Sequence, residues 1–325
     1  MAMIKESEIN ITNGRTAGVV FPLSPERQYP DNVVETGEWK TRYLDAPIPM
    51  PKNLDERAHS LITKWQEVFP YEPTWVQNNV GVPSLLVRLD ATAVEGELKI
   101  FEVEERPQGV GFTSHLNSDF RGRLQAVSET WPKFKAIIAP DRIGRTDDPL
   151  WLEVDEKPNR KDLYLIRAEP WQTEFLDFQG QSVSTYLTEG DKSYGEKMGL
   201  WKKVHSPEEV DWESEFVLKP TQGSKAKDIM PFTKKKNSGG GRFTRTKISN
   251  CILENAVTGM YIQPLYPSIP MEIDGEKQET ILRTYYGFNM QKNAWESLGG
   301  LWCARDNLVV HGAKDATFGP VALEQ

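Results

Sequence analysis

The chain has 325 residues, 38% of them hydrophobic and 26% charged, with a net charge of −8. That is enough apolar material for a large core in about two or three structural units, and it argues against the basic surface that general nucleic-acid coating needs. The only cysteines, Cys251 and Cys303, exclude a disulfide framework and a cysteine-rich zinc site, and without an apolar signal core or membrane-length run the expectation is a cytoplasmic protein in a reducing compartment, with no membrane partner.

Residues 1–55 carry Pro22, Pro25, Pro30, Pro47, Pro49 and Pro51 and read as an extended arm over the body, with a short strand at 17–21. Asp55 is the candidate cap of a helix running to about Phe69, whose buried face holds Ala58, Leu61, Ile62, Trp65 and Phe69 at three-four spacing. Two alternating strands then flank Val94-Glu95-Gly96-Glu97, the signature of a hairpin. Strand side chains alternate between faces, so Arg88 shares a face with Asp90, and Glu102 with Glu104. A turn centred on Glu95 or Gly96 sets even residues opposite even ones and brings all four charges to one side. Three carboxylates that close repel one another, and one arginine does not neutralise three. Mg²⁺, a hard cation that takes carboxylate oxygens and often bridges to phosphates, suits the gap. A solvated strand face is the plainer alternative.

Beyond the hairpin, 109–112 reads as a flexible connection, 116–131 as a helix, and 135–140 and 163–167 as strands. A helix is expected over 194–204, then strands over 215–220, 257–265, 279–288 and 299–311. Few helices and closely following strands indicate an α+β protein with antiparallel sheets.

Lys219 ends an apolar strand, either facing solvent or acting as a point charge on nucleotide phosphates. The glycines at 223 and 239–241 offer backbone donors or form a mobile lid, and neither run matches the Walker A pattern. Gln263, in the apolar run that ends at Leu265, needs hydrogen-bond partners: an adenine edge or neighbouring backbone. Arg283 and Arg305 interrupt apolar strands, as structural ion pairs or as stabilisers of a transferring phosphoryl group. Cys303 with His311 lacks any supporting signature, and a buried inert cysteine is the commoner case. His59 falls on the charged side of its helix, and His205 near a helix end. No His-x-x-x-His or Cys-x-x-Cys spacing suggests zinc.

In their order, these pieces resemble the glutathionylspermidine synthase-like branch of the ATP-grasp ligases, whose circular permutation puts the magnesium ligands ahead of the phosphate lysines. Arg88-Leu89-Asp90 followed by Glu102-Val103-Glu104 resembles the family's Arg-x-Asp and Glu-x-Asn. Gly190-Asp191-Lys192 resembles its lysine after Gly-Asn, and Lys219-Pro220 with Gly223 its Lys-Pro and glycine. Gln263 resembles its hinge glutamine, Gly300-Leu301-Trp302 its late Gly-x-Trp, and Arg305-Asp306 its C-terminal arginine. Glu104 departs from the family by standing where it has asparagine.

The resemblance implies an ATP-grasp-like α+β fold, with antiparallel sheets and flanking helices enclosing a nucleotide cleft. It implies an N-terminal arm and helix over 1–75 without counterpart in the family, a metal-binding and substrate part over 76–190, and a nucleotide-binding lid with the C-terminal part of the core over 191–325. The implied activity is ATP- and Mg²⁺-dependent ligation of a small-molecule or peptide carboxylate to an amine through an acyl phosphate. Asp90, Glu102 and Glu104 would hold the metal, and Lys192, Lys219, Gly223, Gly240, Gln263 and Leu265 the nucleotide. Arg88 would stabilise the transferring group together with Arg283 or Arg305. Two other readings stand beside it: a nucleotide-binding module without ligase activity, and a nucleic-acid-interacting protein using a basic stripe of Lys234, Lys235, Lys236, Arg242, Arg245 and Lys247. The acidic net charge ranks the last of these third.

Overall fold

Two long antiparallel strands, β13 (Glu276–Asn289) and β14 (Ala294–Arg305), are the spine of the molecule. The computed structural model describes residues 9–11, 42–44, 46–68, 85–94, 96–105, 107–131, 134–138, 147–155, 163–167, 192–221, 229–234, 243–273, 275–305 and 316–324. The strand candidate at 17–21, Gly190, Asp191, Gly223, Lys235 and Lys236, the glycines at 239–241 with Arg242, and 306–311 with its His311 lie outside them.

Around the spine a nine-stranded sheet assembles in the order β1 (Ile9–Ile11), β12 (Ile269–Ile273), β13, β14, β15 (Thr317–Leu323), β2 (Arg42–Tyr43). β3 (Ile48–Met50) also runs beside β15. β13 is long enough to take two partners on one side: its first part pairs with β12, its second with β4 (Leu86–Val94). β5 (Glu97–Glu105) then pairs with β4, so the charged hairpin extends the large sheet.

Helix α1 (Lys52–Val68) packs Leu54, Ala58 and Ile62 into the core. It begins just after Pro51, three residues ahead of the expected cap. Asp55 therefore sits in the first turn, and its carboxylate accepts from Ser297 Oγ at 2.7 and 2.8 Å and from Tyr286 Oη at 3.1 Å. His59, on the side of the helix read as charged, turns to the sheet as well: Nε2 is 2.6 Å from Ser297 Oγ, and the ring meets Tyr286 edge-on at 5.3 Å. This polar cluster fastens α1 to the spine.

The expected flexible connection at 109–112 is a helix start. Gly109 takes φ 91°, and α2 (Val110–Leu116) follows. Both carboxylate oxygens of Asp147 accept from its first turn, from Gly109 N and Phe112 N at 2.9 Å each. The signal that ends the loop lies far downstream, so local pattern reading misses it. α3 (Ser118–Ser128) is capped by Asn117, which accepts from Phe120 N at 3.0 Å. Its buried face is Phe120, Leu124 and Val127. β6 (Phe134–Ile138) and β7 (Leu163–Arg167) form a separate parallel pair.

The expected helix at 194–204 divides. α4 (Ser193–Lys197) is one short turn that ends near Gly199, whose φ is 72°, and β8 (Lys202–Val204) follows. β8 joins a four-stranded sheet in the order β10 (Met230–Phe232), β9 (Phe216–Pro220), β11 (Met260–Pro264), β8. One face of this small sheet, with Phe216, Leu218, Met260 and Val204, packs on Ile248 and Ile252 of α5 (Arg245–Glu254). Period-two alternation leaves Lys219, Tyr261 and Gln263 for the other face, where Lys219 stands directly opposite Tyr261. The described part is thus an α+β protein of antiparallel-rich sheets with few helices.

Candidate functional site

Gly96, just ahead of β5, takes φ 76°. Val94 pairs with Glu97 and Ala91 with Ile100, so even residues stand opposite odd ones. Continued, that register would turn Glu102 and Glu104 away from Arg88 and Asp90. A β-bulge prevents it. The ladder skips Phe101, after which Asp90 pairs with Glu102 and Arg88 with Glu104. The expected even-to-even pairing is reached, but by a tight turn plus one extra residue rather than by a centred turn.

Arg88 and Asp90 are 5% and 6% exposed, so each charge requires a partner. Arg88 grips Asp90 through Nε at 2.6 Å and Nη2 at 3.1 Å. Its Nη1 lies 3.0 Å from Glu104 Oε2 and donates to the Gln108 carbonyl at 2.7 Å. Arg283 stands opposite Asp90 on β13, with Nη2 3.5 Å from Oδ2. Lys192, just ahead of α4, pairs with Glu102. Lys219 donates from Nζ to the Phe101 carbonyl at 2.7 Å, and Gln263 Nε2 donates to the Ile100 carbonyl at 2.6 Å. The two carbonyls at the bulge are therefore the acceptors for Lys219 and Gln263.

Four cations, Arg88, Arg283, Lys192 and Lys219, thus surround the three carboxylates. Of these four, the hairpin itself supplies Arg88, and Lys192, Lys219 and Arg283 arrive from other elements. The electrostatics follow from the pairing. Burial pushes the Glu102 carboxyl up, but the ammoniums of Lys192 and Lys219, with Arg88, outweigh it and hold the pKa at about 2. Burial raises Glu104 above its ordinary value; Arg88 opposes the rise, while Glu102 and Asp90 reinforce it. Burial lowers Lys219 to about 8, against the pull of Glu102. Arg88 is held well above the ordinary arginine value because Asp90 and Glu104 overcome its own burial.

Among the described residues no group of three or more His, Cys, Asp or Glu side chains is arranged to hold a metal ion. Mg²⁺ commonly takes one or two carboxylates plus substrate phosphates, and the donor chemistry of Glu102 and Glu104 fits that pattern. Their side chains are 31% and 37% exposed, whereas both Asp90 oxygens are held by guanidinium groups. Arg283 Nε is buried without a hydrogen-bond partner among the described residues, a donor left over beside Asp90 that suits an anionic ligand.

Comparison with family models gives no match, and comparison with curated proteins gives none. Among solved structures the chain is similar to a candidate gamma-glutamylcysteine synthetase from Methylobacillus flagellatus KT. The two share 11% identity and a TM-score of 0.38 over 86% of this chain and 90% of that one. Roles at the site therefore rest on side-chain geometry. No helix among the described residues is long and apolar enough to cross a membrane.

Of the residues singled out in the sequence, Arg88, Asp90, Glu102, Glu104, Lys192, Lys219, Gln263 and Arg283 come together. Arg305 shares the sheet face but stands opposite Glu279, four positions along the strand from the Arg283–Leu301 pair, or about 13 Å at the usual rise. Leu265 donates from its backbone to the Glu215 carbonyl at 3.0 Å. Gly223 and Gly240 lie outside the described residues. Cys303 is fully buried, and burial pushes its thiol up to about 11, which suits an inert core cysteine. The Gly-x-Trp motif is explained by packing: a Cβ on Gly300 would run into the Arg283 carbonyl, and the buried Trp302 donates to the Ala46 carbonyl at 2.8 Å. In the basic stripe, Lys234 pairs with Glu213, Arg245 lies over Trp212 and Lys247 over Phe243. Sequence reading missed Trp201, the Ile100 and Phe101 carbonyls, and Asp147.

Proposed function

We propose that the chain is an ATP- and Mg²⁺-dependent carboxylate–amine ligase that forms an amide bond through an acyl phosphate. The observation that carries this reading is the meeting of two sheets at one polar cluster, Lys219 and Gln263 from the small sheet against Arg88, Asp90, Arg283, Glu102 and Glu104 from the large one. Four cations against three carboxylates leave an excess of one positive charge, which favours a polyanion such as a nucleotide triphosphate.

In this reading Glu102 and Glu104 offer oxygens to Mg²⁺, which when bound neutralises charge on the phosphates. Lys192 and Lys219 exchange their present acceptors for phosphate oxygens. Gln263 orients the nucleotide base through its amide. Arg88, locked on Asp90, and Arg283, with its spare Nε, stabilise the phosphoryl group as it passes to the substrate carboxylate. Arg283 is preferred to Arg305 because it touches Asp90.

The test is a calorimetric titration with Mg·ATP, followed by a screen of amino acids, peptides and polyamines for ADP release. Wild type should bind, and Glu102→Gln should weaken binding at least tenfold. Binding without ADP release under any amine and carboxylate pair would favour the nucleotide-binding module instead. Absence of binding would overturn both.

A further inference from the structure

We infer that Trp201 is a positioning residue that holds both Lys192 and Lys219 at the site. This rests on the reading of the two lysines as ligand-facing groups. Trp201 contacts both of them, through the indole N–H and the ring face. Its indole Nε1 donates to the Lys192 carbonyl at 2.9 Å, and its ring lies under the Lys219 ammonium, 4.6 Å from Nζ to the centroid. A cation over an indole face is attracted to the negative ring quadrupole, most strongly where water is excluded. Lys192 and Lys219 are each 6% exposed and Trp201 5%.

The indole is itself fixed on several sides. Gly195 in α4 leaves no room for a Cβ, which would run into the indole ring. The Gly195 carbonyl accepts from Leu200 N at 2.7 Å, closing the loop that delivers Trp201. Tyr261, opposite Lys219 on the neighbouring strand, packs against the indole at 6.2 Å between centroids. Lys192 N in turn donates to the Thr221 carbonyl at 3.1 Å, tying the α4 segment to the end of β9. One aromatic ring thus joins the lysine ahead of α4 to the lysine of β9, and a shift of the ring moves both ammonium groups relative to Glu102.

Lysine footprinting of the nucleotide-free protein tests this without any assumption about the ligand. Acylation rates would be read residue by residue by mass spectrometry, with buried Lys135, paired with Asp155 in another part of the molecule, as the internal reporter of global unfolding. Trp201→Leu removes the ring face and the N–H; labelling of Lys192 and Lys219 should rise about tenfold while Lys135 stays protected. Trp201→Phe keeps a ring face and loses the donor. It should return Lys219 toward wild-type protection and leave Lys192 labelled several-fold faster. Unchanged rates at both lysines in Trp201→Leu would overturn the assignment, as would a parallel rise of all three lysines in both variants, which marks a plain core residue. Mg·ATP titration of the same proteins separates this from the functional proposal: a wild type that fails to bind sinks the ligase reading and leaves the footprint to decide the role of Trp201.

Discussion

Lys219 donates its buried ammonium to the carbonyl of Phe101 at 2.7 Å, and Phe101 is the one residue the β4–β5 ladder skips. The bulge does two things at once. It brings Glu102 and Glu104 round to the face of Arg88 and Asp90, and it frees a carbonyl to receive the small sheet. Deleting Phe101 should leave Asp90 paired with Glu102, because the tight turn then continues regularly, while Lys219 loses its acceptor. The expected loss is about 1–3 kcal/mol, the cost of a buried polar group left unpaired. Urea unfolding measures it, and hydrogen exchange on the hairpin amides should remain close to wild type.

Breaking the Arg88–Asp90 pair from one side should be costly. Asp90→Asn leaves two guanidinium groups facing a neutral amide and should destabilise by about 3–5 kcal/mol, as removal of one partner of a buried pair does. Arg88→Met together with Asp90→Leu should cost less than the sum of the single changes. Denaturant midpoints of the four proteins in the cycle give the coupling directly.

Gly300→Ala should be among the most damaging small changes in the chain. Its Cβ would strike the Arg283 carbonyl in the paired strand, so the β13–β14 ladder must separate locally. A loss of more than about 3 kcal/mol is expected, on the scale of overpacking in a tight interior. A thermal unfolding scan would show it, and a wild-type midpoint would refute the account of the Gly-x-Trp motif.

The two glutamates of β5 should affect stability in opposite directions. Glu102 is held at about 2 in the folded state, below its ordinary value of 4.5, so its contribution is full above about pH 4.5 and is lost as the pH falls toward 2. Glu102→Gln should flatten that part of the acid-unfolding curve. Glu104 is raised in the folded state, so the folded protein binds its proton more tightly and stability falls as the pH rises through its titration. Glu104→Gln should therefore raise the urea midpoint at pH 7, where Glu102→Gln lowers it.

The charged hairpin, the apolar face of α1, the strand ending in Lys219 and the segment around Gln263 were all legible because each is a local period-two or three-four pattern. The loop over 109–112 was not. Its conversion to a helix start depends on Asp147, whose carboxylate arrives from 38 residues away. The helix expected over 194–204 failed for a related reason: Met198 lies just before the turn at Gly199 and Trp201 just after it, and both are buried by tertiary packing rather than along one helical face.

By itself the sequence determined which side chains could share a face, because alternation along a strand is a property of the backbone and needs no partner. It set Arg88 with Asp90, Glu102 with Glu104, and Lys219 apart from the apolar residues beside it. Which faces would meet was a tertiary decision. The number of cations around the carboxylates depended on β13 delivering Arg283 beside Asp90, on the small sheet delivering Lys219 to a carbonyl at the bulge, and on the segment ahead of α4 delivering Lys192 to Glu102. Charge balance is a sum over neighbours in space, and three of the four cations come from segments far along the chain from the hairpin.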